Sequence, residues 1–127
     1  MVGIVVVSHS EKLAEGVIDL ARMMAKKVKI AKAGGLEDGS FGTSFDRITQ
    51  AIDEVYSDDG VILIMDMGSA LMTSEMVVES CDKEKIMMAD CPIVEGTVTA
   101  AVMAENGSSI EEIINELKTV GSISKFK

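Results

Sequence analysis

His9 is the only histidine in the chain, and it stands where a run of apolar residues ends. The segment 1–7 (MVGIVVV) is typical of a strand buried on both faces, and Ser8-His9-Ser10 follows it directly. A helical pattern begins after Ser10, so the imidazole is expected beside a helix N-terminus, whose free N–H groups and positive dipole end attract phosphate. A neutral imidazole nitrogen is also a good nucleophile toward phosphorus. These residues predict a phosphoryl-carrying histidine, with a capping or packing role as the alternative.

Asp66 closes the most strongly apolar strand of the chain, 61–65 (VILIM). A carboxylate that holds one ring nitrogen of His9 fixes the tautomer, leaves the other nitrogen free to attack and stabilises the charge of phosphohistidine. If Asp66 holds Nδ1, the phosphoryl group is expected on Nε2. The alternative for Asp66 is a cap on the helix that follows, and the two roles are compatible.

The predicted phosphate-binding residues are small or polar and lie near the ends of predicted strands. They are Ser10, Thr43, Ser44, Gly68 and Ser69. Thr43 and Ser44 follow a glycine-rich loop, 34–42, and a plain helix cap is the alternative for both. Ligands of parallel sheets sit at the carboxyl ends of the strands, so these groups converge on His9 if the first strand is central. The loop matches neither dinucleotide-binding nor P-loop spacing, which disfavours nucleotide binding by this chain.

Strands and helices alternate along the chain. Strands are predicted at 1–7, 28–33, 61–65 and 85–89. Helices lie between and after them, with apolar stripes at Leu13, Val17, Leu20 and Met24; Phe45, Ile48, Ile52 and Val55; Leu71 and Met76; Val98, Ala101 and Val102; and Ile110, Ile113, Ile114 and Leu117. Ser109 to Glu112 is a capping box, and Asn106-Gly107 is a typical helix end. This order predicts a single α/β domain over 1–127, with an open, mainly parallel sheet of four to five strands and helices on both faces.

The composition narrows the partners and the location of the protein. Twelve Lys and Arg against 21 Asp and Glu give a net charge of −9, which disfavours nucleic acid and membrane binding. The acidity favours a basic protein partner, with a role in solubility alone as the alternative. Cys81 and Cys91 match no metal-site spacing and are expected to be reduced. No apolar segment reaches membrane-spanning length and no basic region precedes the first apolar run, so a cytoplasmic location is expected.

Five short motifs, in order along the chain, resemble one protein family. They are GIVVVSHS (3–10), AGG (33–35), GTSFDRI (42–48), DMGSALM (66–72) and PIVEG (92–96). The family is that of the phosphotransferase subunits (DhaM) of phosphoenolpyruvate-dependent dihydroxyacetone kinase, which have the mannose-type IIA fold of the sugar phosphotransferase system. The Gly-Thr-His-Gly turn and GGTP loop typical of mannose-transporter IIA proteins are absent, since Ser8-His9-Ser10 and Ala33-Gly34-Gly35-Leu36 replace them.

This resemblance implies a phosphotransferase that works through phospho-His9. The phosphocarrier HPr would donate the phosphoryl group, and phospho-His9 would rephosphorylate ADP held by the nucleotide-binding kinase subunit, for phosphorylation of dihydroxyacetone in glycerol metabolism. It also implies a homodimer without a cofactor on this chain, with ADP, ATP and Mg²⁺ on the partner subunit. HPr-like and enzyme I-like domains, fused in some members, would act in trans, because 127 residues leave no room for them.

Three other functions stay open from the sequence. A mannose-type IIA component of a sugar transporter would use His9 identically and would differ in its acceptor. A receiver-like signalling domain phosphorylated on Asp66 fits the order of strands and helices, but the acidic pair that binds Mg²⁺ in such domains is absent after the first strand. The third is an interaction module that is never phosphorylated.

Overall fold

β1 (Gly3–Ser8) lies in the interior of a parallel sheet, between β2 (Ile30–Gly34) and β3 (Val61–Met65). β4 (Ile86–Ala89) pairs with β3 and completes the order β2-β1-β3-β4. The helices are α1 (Glu11–Arg22), α2 (Phe45–Val55), α3 (Ser69–Ser80), α4 (Ile93–Glu105) and α5 (Ile110–Val120). The computed structural model describes residues 1–126, and over these residues it confirms the predicted α/β fold with four parallel strands.

Alternate residues of β1 face two separate cores. Ile4 and Val6 belong to a cluster with α1, α4 and α5, whereas Val5 and Val7 belong to a cluster with α2 and α3. Because helices cover both faces, β1 and β3 are continuous apolar runs rather than alternating ones. The predicted helices on both faces are thus confirmed, and the first strand is central.

The predicted inward face of α1 is wrong in part. Val17 is buried, but Leu13 and Leu20 are 41% and 43% exposed, and Met24 lies beyond the end of the helix and is exposed. The other inward positions are held by alanines, Ala14 and Ala21. Alanine allows the helix to lie close to the sheet, so the larger leucines project from its flanks. Close packing, rather than hydrophobicity alone, therefore sets the orientation of α1.

The predicted inward residues of α3 are also wrong. Leu71 and Met76 are 42% and 56% exposed. The buried residues of this helix are Ala70, Ser74 and Val77. Polar and apolar residues are mixed around α3, since Ser74 is buried while Leu71 and Met76 are exposed, so periodicity does not identify the inward face. The helix consequently presents apolar side chains to the surface.

The remaining helices largely follow the predicted pattern. In α2, Ile48, Ile52 and Val55 are buried, but Phe45 is 37% exposed at the first position of the helix. In α4, Ala101 is buried while Val98 and Val102 are half-buried. The inward residues of α5 are Ile110, Ile113 and Leu117, with Ile114 half-buried. The capping box of α5 is present, and Gly107 adopts a φ of +89° just after α4, as its sequence predicts.

Cys81 and Cys91 are both free thiols, as predicted. Burial raises the pKa of Cys91 to about 11, so this side chain is a protonated thiol at neutral pH. Within residues 1–126, no helix combines the length and the apolar character needed to cross a bilayer.

Candidate functional site

His9 and Asp66 follow two neighbouring strands, β1 and β3, at their carboxyl ends. From β1 the chain continues to β2 on one side of the sheet, and from β3 it continues to β4 on the other side. The connecting helices α1 and α3 lie on opposite faces, so they diverge and leave a crevice between them. Parallel α/β sheets bind their ligands at this kind of switch point. The predicted convergence of the two residues is therefore what the topology produces.

Both carboxylate oxygens of Asp66 are bonded to His9. Oδ1 lies 3.0 Å from the ring atom Nδ1, and Oδ2 accepts the backbone N–H of His9 at 3.0 Å. The N–H of Met67 donates to Oδ1 at 2.6 Å, and the hydroxyl of Ser8 donates to Oδ2 at 2.9 Å. An ionised carboxylate only accepts hydrogen bonds, so Nδ1 carries the ring proton and Nε2 keeps a lone pair.

The ionisation of Asp66 is maintained by these donors. Burial by itself disfavours the charged carboxylate, but the backbone N–H groups of His9 and Met67, the Ser8 hydroxyl and the His9 ring all bond to its oxygens. Their combined effect holds the pKa of Asp66 below its usual value. The Asp66 side chain is 12% exposed and that of His9 is 29% exposed. Asp66 therefore lies behind His9 as a fixed negative charge, and part of the ring faces the surface.

Ser8 supports this arrangement, although no separate role is predicted for it from the sequence. Its side chain is fully buried at the end of β1. The hydroxyl donates to Asp66 and accepts the backbone N–H of Ser10 at 3.0 Å, so it links the carboxylate to the start of α1. The available signal was a serine at the last position of a strand that is otherwise apolar, since a buried hydroxyl needs partners.

Hydroxyl groups line the other side of the ring. Ser69 Oγ lies 2.9 Å from His9 Nε2, and Thr43 Oγ1 lies 3.4 Å from Ser69 Oγ. Thr43 is in turn bonded to Thr73 Oγ1 at 3.0 Å. Thr73 was missed by the sequence reasoning. Its signal is its spacing of four residues from Ser69, which places both on the same face of α3.

The first turn of α3 offers backbone donors to this side of the site. Gly68, at the N-cap, has a φ of +57°, and no side chain caps the helix there. Over residues 1–126, the N–H groups of Gly68 and Ser69 donate to no protein acceptor. These donors lie at the positive end of the helix dipole, next to the hydroxyl that contacts Nε2. Together with the Ser69 hydroxyl they form a set of donors suited to an anion.

The hydroxyls of Ser10 and Ser44 cap helices rather than contact the His9 ring. Ser10 Oγ accepts the N–H of Leu13 at 3.2 Å. Ser44 Oγ accepts the N–H of Arg47 at 3.2 Å and donates to Glu37 at 2.6 Å. Of the predicted phosphate-binding side chains, the structure brings Ser69 directly to His9, with Thr43 next to Ser69.

The glycine-rich loop is attached to the residues around His9. The N–H of Gly42 donates to the His9 carbonyl at 2.9 Å, and the N–H of Gly35 donates to the Ser8 carbonyl at 3.1 Å. A Cβ on Gly34 would lie 2.7 Å from the Ser10 carbonyl oxygen, so only glycine permits β2 to approach the start of α1 this closely. The loop thereby places Thr43 beside α3.

Exposed apolar side chains surround the crevice. Phe41, Met67 and Met72 are 81%, 68% and 69% exposed, respectively. They lie next to Gly42, Asp66 and the first turn of α3. Large apolar side chains left in solvent around a reacting group are typical of a protein-docking surface. Within residues 1–126, no group of three or more His, Cys, Asp and Glu side chains is arranged to hold a metal ion.

Comparison with known protein families places most of the chain in one of them. Residues 3–114 match the family model EIIA-man, described as the PTS system fructose IIA component. Among solved structures, a protein of unknown function superposes with a TM-score of 0.86 at 24% identity, covering 100% of both chains. A phosphotransferase system component EIIA from Streptococcus agalactiae superposes with a TM-score of 0.74 at 15% identity, covering 99% of this chain and 98% of its own. At these identities the two structures show the fold.

Curated relatives share a more specific name. The phosphotransferase subunit DhaM of the PTS-dependent dihydroxyacetone kinase of Lactococcus lactis is 41% identical, covering 91% of this chain and 93% of its own length. A phosphoryl donor subunit DhaM of Listeria innocua is 42% identical, with coverages of 93% and 94%. The Escherichia coli phosphoryl donor subunit DhaM is 41% identical over 90% of this chain. That relative is longer, and the matched region covers 26% of its length.

Proposed function

This chain belongs to the EIIA-man family of phosphotransferase-system IIA components and, within it, to the DhaM subunits, and on that premise we propose that His9 carries phosphoryl groups for a dihydroxyacetone kinase. The observation that carries this proposal is the asymmetry of the His9 ring. Nδ1 is hydrogen-bonded to an ionised carboxylate, whereas Nε2 faces the Ser69 hydroxyl at the start of α3. Nδ1 thereby keeps the ring proton, and Nε2 is left with the lone pair that acts as the nucleophile.

In the first transfer, the Nε2 lone pair attacks the phosphorus of a phosphorylated donor, which we propose to be HPr. The bond between phosphorus and the donor nitrogen breaks as the Nε2–P bond forms, and the donor nitrogen recovers its lone pair. The proton stays on Nδ1, so the ring gains positive charge. Asp66 Oδ1, 3.0 Å from Nδ1, stabilises that charge.

The phosphoryl oxygens need donors on the Nε2 side of the ring. Gly68 and Ser69 supply backbone N–H groups at the start of α3, and the hydroxyls of Ser69 and Thr43 lie within reach of the same point. These groups were among the predicted phosphate-binding residues. We assign to them the stabilisation of the phosphoryl group during transfer, since aligned donors at a helix start favour a dianion.

In the second transfer, an oxygen of the ADP β-phosphate attacks the phosphorus of phospho-His9. The Nε2–P bond breaks, ATP forms and Nε2 recovers its lone pair, while the Nδ1 proton again stays in place. We propose that ADP is bound by the nucleotide-binding kinase subunit, together with Mg²⁺, and that this chain needs no cofactor of its own. ATP made there then phosphorylates dihydroxyacetone.

The surface around His9 supports a relay between proteins. Phe41, Met67 and Met72 form an exposed apolar rim, and the chain carries a net charge of −9. Apolar contacts at the rim and basic residues on the partner would complement this surface. We propose that HPr and the kinase subunit dock on this surface in turn.

We further propose that the protein works as a homodimer and that it acts in the cytoplasm.

The second candidate function is that of a IIA component of a sugar transporter, because the family model is described as a fructose IIA component. The two functions share the chemistry of His9 and differ in the acceptor. The DhaM relatives at about 41% identity favour the kinase. A receiver-like role for Asp66 is disfavoured by the site, because both of its oxygens are occupied by donors from this chain.

Transfer of label tests the function. The protein is incubated with ³²P-phosphoenolpyruvate, enzyme I and HPr, and the labelled product is then mixed with either an ADP-loaded kinase subunit or a IIB domain. We expect label on wild-type protein, none on His9→Ala, and discharge by the ADP-loaded subunit alone. Label on His9→Ala, or discharge by the IIB domain alone, would contradict the proposal.

A further inference from the structure

The resting position of Ser69 blocks the reacting nitrogen. Because Nδ1 carries the proton, Nε2 accepts, and the hydroxyl of Ser69 donates to it at 2.9 Å. A hydrogen bond of this kind lies along the nitrogen lone pair, and the Nε2–P bond must form along the same direction. Phosphorus can therefore bond to Nε2 only when the Ser69 hydroxyl has moved aside.

Thr43 is the neighbouring group toward which the Ser69 hydroxyl can turn. The two oxygens are 3.4 Å apart, longer than a good hydroxyl–hydroxyl hydrogen bond, so a small rotation brings them together. After that rotation, the Ser69 and Thr43 hydroxyls lie side by side and next to the place that the phosphoryl oxygens occupy.

Thr73 is bonded to Thr43 from behind. The Thr43–Thr73 distance is 3.0 Å, and Thr73 is half-buried one helical turn after Ser69. A hydroxyl has one hydrogen and two lone pairs. If Thr73 donates to Thr43, the hydrogen of Thr43 is left to point at Ser69 or at a phosphoryl oxygen. Without Thr73, Thr43 is free to turn toward solvent.

We propose that Thr73 is a positioning residue for phosphoryl transfer, which orients the Thr43 hydroxyl so that Ser69 can leave Nε2 and phosphorus can enter. This inference rests on the proposed function of His9. It gives a role to a side chain that, within residues 1–126, makes no hydrogen bond to the His9 ring and that acts through Thr43.

Isosteric variants separate this role from packing. Thr73→Val keeps the shape of the side chain and removes its hydroxyl, and Thr73→Ser restores the hydroxyl. We expect Thr73→Val to lower the kcat of phosphorylation by HPr about three- to tenfold, which is the effect of losing the one hydrogen bond that orients the Thr43 hydroxyl. The KM for HPr stays unchanged, and Thr73→Ser recovers most of the rate. Thermal unfolding of all variants shows whether folding is equally affected.

A double-mutant cycle tests whether Thr73 acts through Thr43. The variant Thr43→Val combined with Thr73→Val should transfer as slowly as Thr43→Val alone, because the positioning group then has nothing to position. Wild-type kcat in Thr73→Val, failure of Thr73→Ser to recover it, or additive effects in the double variant would each overturn the inference.

One readout does not depend on phosphorylation. The protein has a single histidine, so its imidazole ¹⁵N resonances are assigned without ambiguity. We expect the Nε2 resonance to shift in Thr73→Val, because the Ser69 hydroxyl that bonds Nε2 has lost an ordered neighbour, and to return in Thr73→Ser. Wild-type protein that takes no label would refute the proposed function, whereas an Nε2 resonance identical in wild type and Thr73→Val would refute the positioning role.

Discussion

Asp66 binds His9 twice: its Oδ1 is 3.0 Å from the ring atom Nδ1, and its Oδ2 accepts the backbone N–H of the same residue at 3.0 Å. The carboxylate therefore fixes the backbone at the end of β1 and the orientation of the ring together. A rotation of the ring that presented Nδ1 to a phosphoryl donor would break the hydrogen bond between Nδ1 and Asp66 Oδ1. It would also leave the Asp66 carboxylate without the ring as its partner. This double contact is the basis of our proposal that a single nitrogen, Nε2, is the reacting atom.

Replacing Asp66 tests its part in the transfer. In Asp66→Ala the ring loses its acceptor and the phosphoimidazole loses its balancing charge, so we expect phosphorylation by HPr to slow by at least about tenfold while the protein stays folded. Rapid-quench measurement of label on His9 gives the rate, and circular dichroism checks the fold. Transfer at the wild-type rate would remove Asp66 from the mechanism.

The ionisation of Asp66 also predicts how stability depends on pH. Its pKa in the folded chain is below the ordinary value of 3.8, so its stabilising effect is fully present above that value and is lost as the pH falls through the folded value. Urea unfolding of wild type and Asp66→Asn should give a free-energy difference that narrows as the pH falls below about 4 and Asp66 becomes protonated. A difference that widens over this acidic range would contradict the assignment.

The buried hydroxyl of Ser8 should contribute to both stability and transfer. Ser8→Ala leaves the N–H of Ser10 without its acceptor and takes one donor from Asp66, so we expect a loss of about 1–3 kcal/mol in the free energy of unfolding and slower transfer. Ser108→Ala is the matched control, since the Ser108 side chain makes no hydrogen bond in the described residues. Equal stability of the two variants would show that Ser8 does not support the site.

Ser44 was predicted to bind phosphate and is found as a helix cap. Ser44→Ala removes the acceptor of the Arg47 N–H, so we expect a loss of about 1 kcal/mol in stability. Transfer is measured well below the melting temperature, where the variant is folded. If Ser44→Ala transfers phosphoryl groups at the wild-type rate, Ser44 acts only as a helix cap. A large drop in the transfer rate would support the predicted phosphate-binding role of Ser44.

Replacement by alanine should have opposite effects on stability at two glycine positions. At Gly34 the added Cβ would lie 2.7 Å from the Ser10 carbonyl oxygen, so Gly34→Ala should cost about 1–3 kcal/mol and displace the start of α1 next to His9. Gly16 lies on the exposed side of α1, with nothing within 4 Å of the added Cβ, so Gly16→Ala should stabilise the protein by about 0.5–1 kcal/mol. Urea unfolding distinguishes them, and equal effects would contradict this account of Gly34.

The parallel sheet and the meeting of His9 with Asp66 were predictable, because both follow from the order of strands and from where polar residues interrupt apolar runs. The orientations of α1 and α3 were not. In α1 close packing places Ala14 inward in preference to Leu13, and in α3 polar and apolar residues are mixed around the helix, with Ser74 buried. The contact between Thr43 and Thr73 depends on how the glycine-rich loop meets α3, which no local pattern encodes.

The nitrogen of the His9 ring that carries the phosphoryl group can be identified by NMR. Protein labelled with ¹⁵N in its single histidine is phosphorylated through HPr, and ¹⁵N–³¹P coupling identifies the bonded nitrogen. We expect coupling to Nε2 of His9, with Nδ1 still protonated. Coupling to Nδ1, or phosphate bound to the protein with no coupling to either nitrogen, would contradict it.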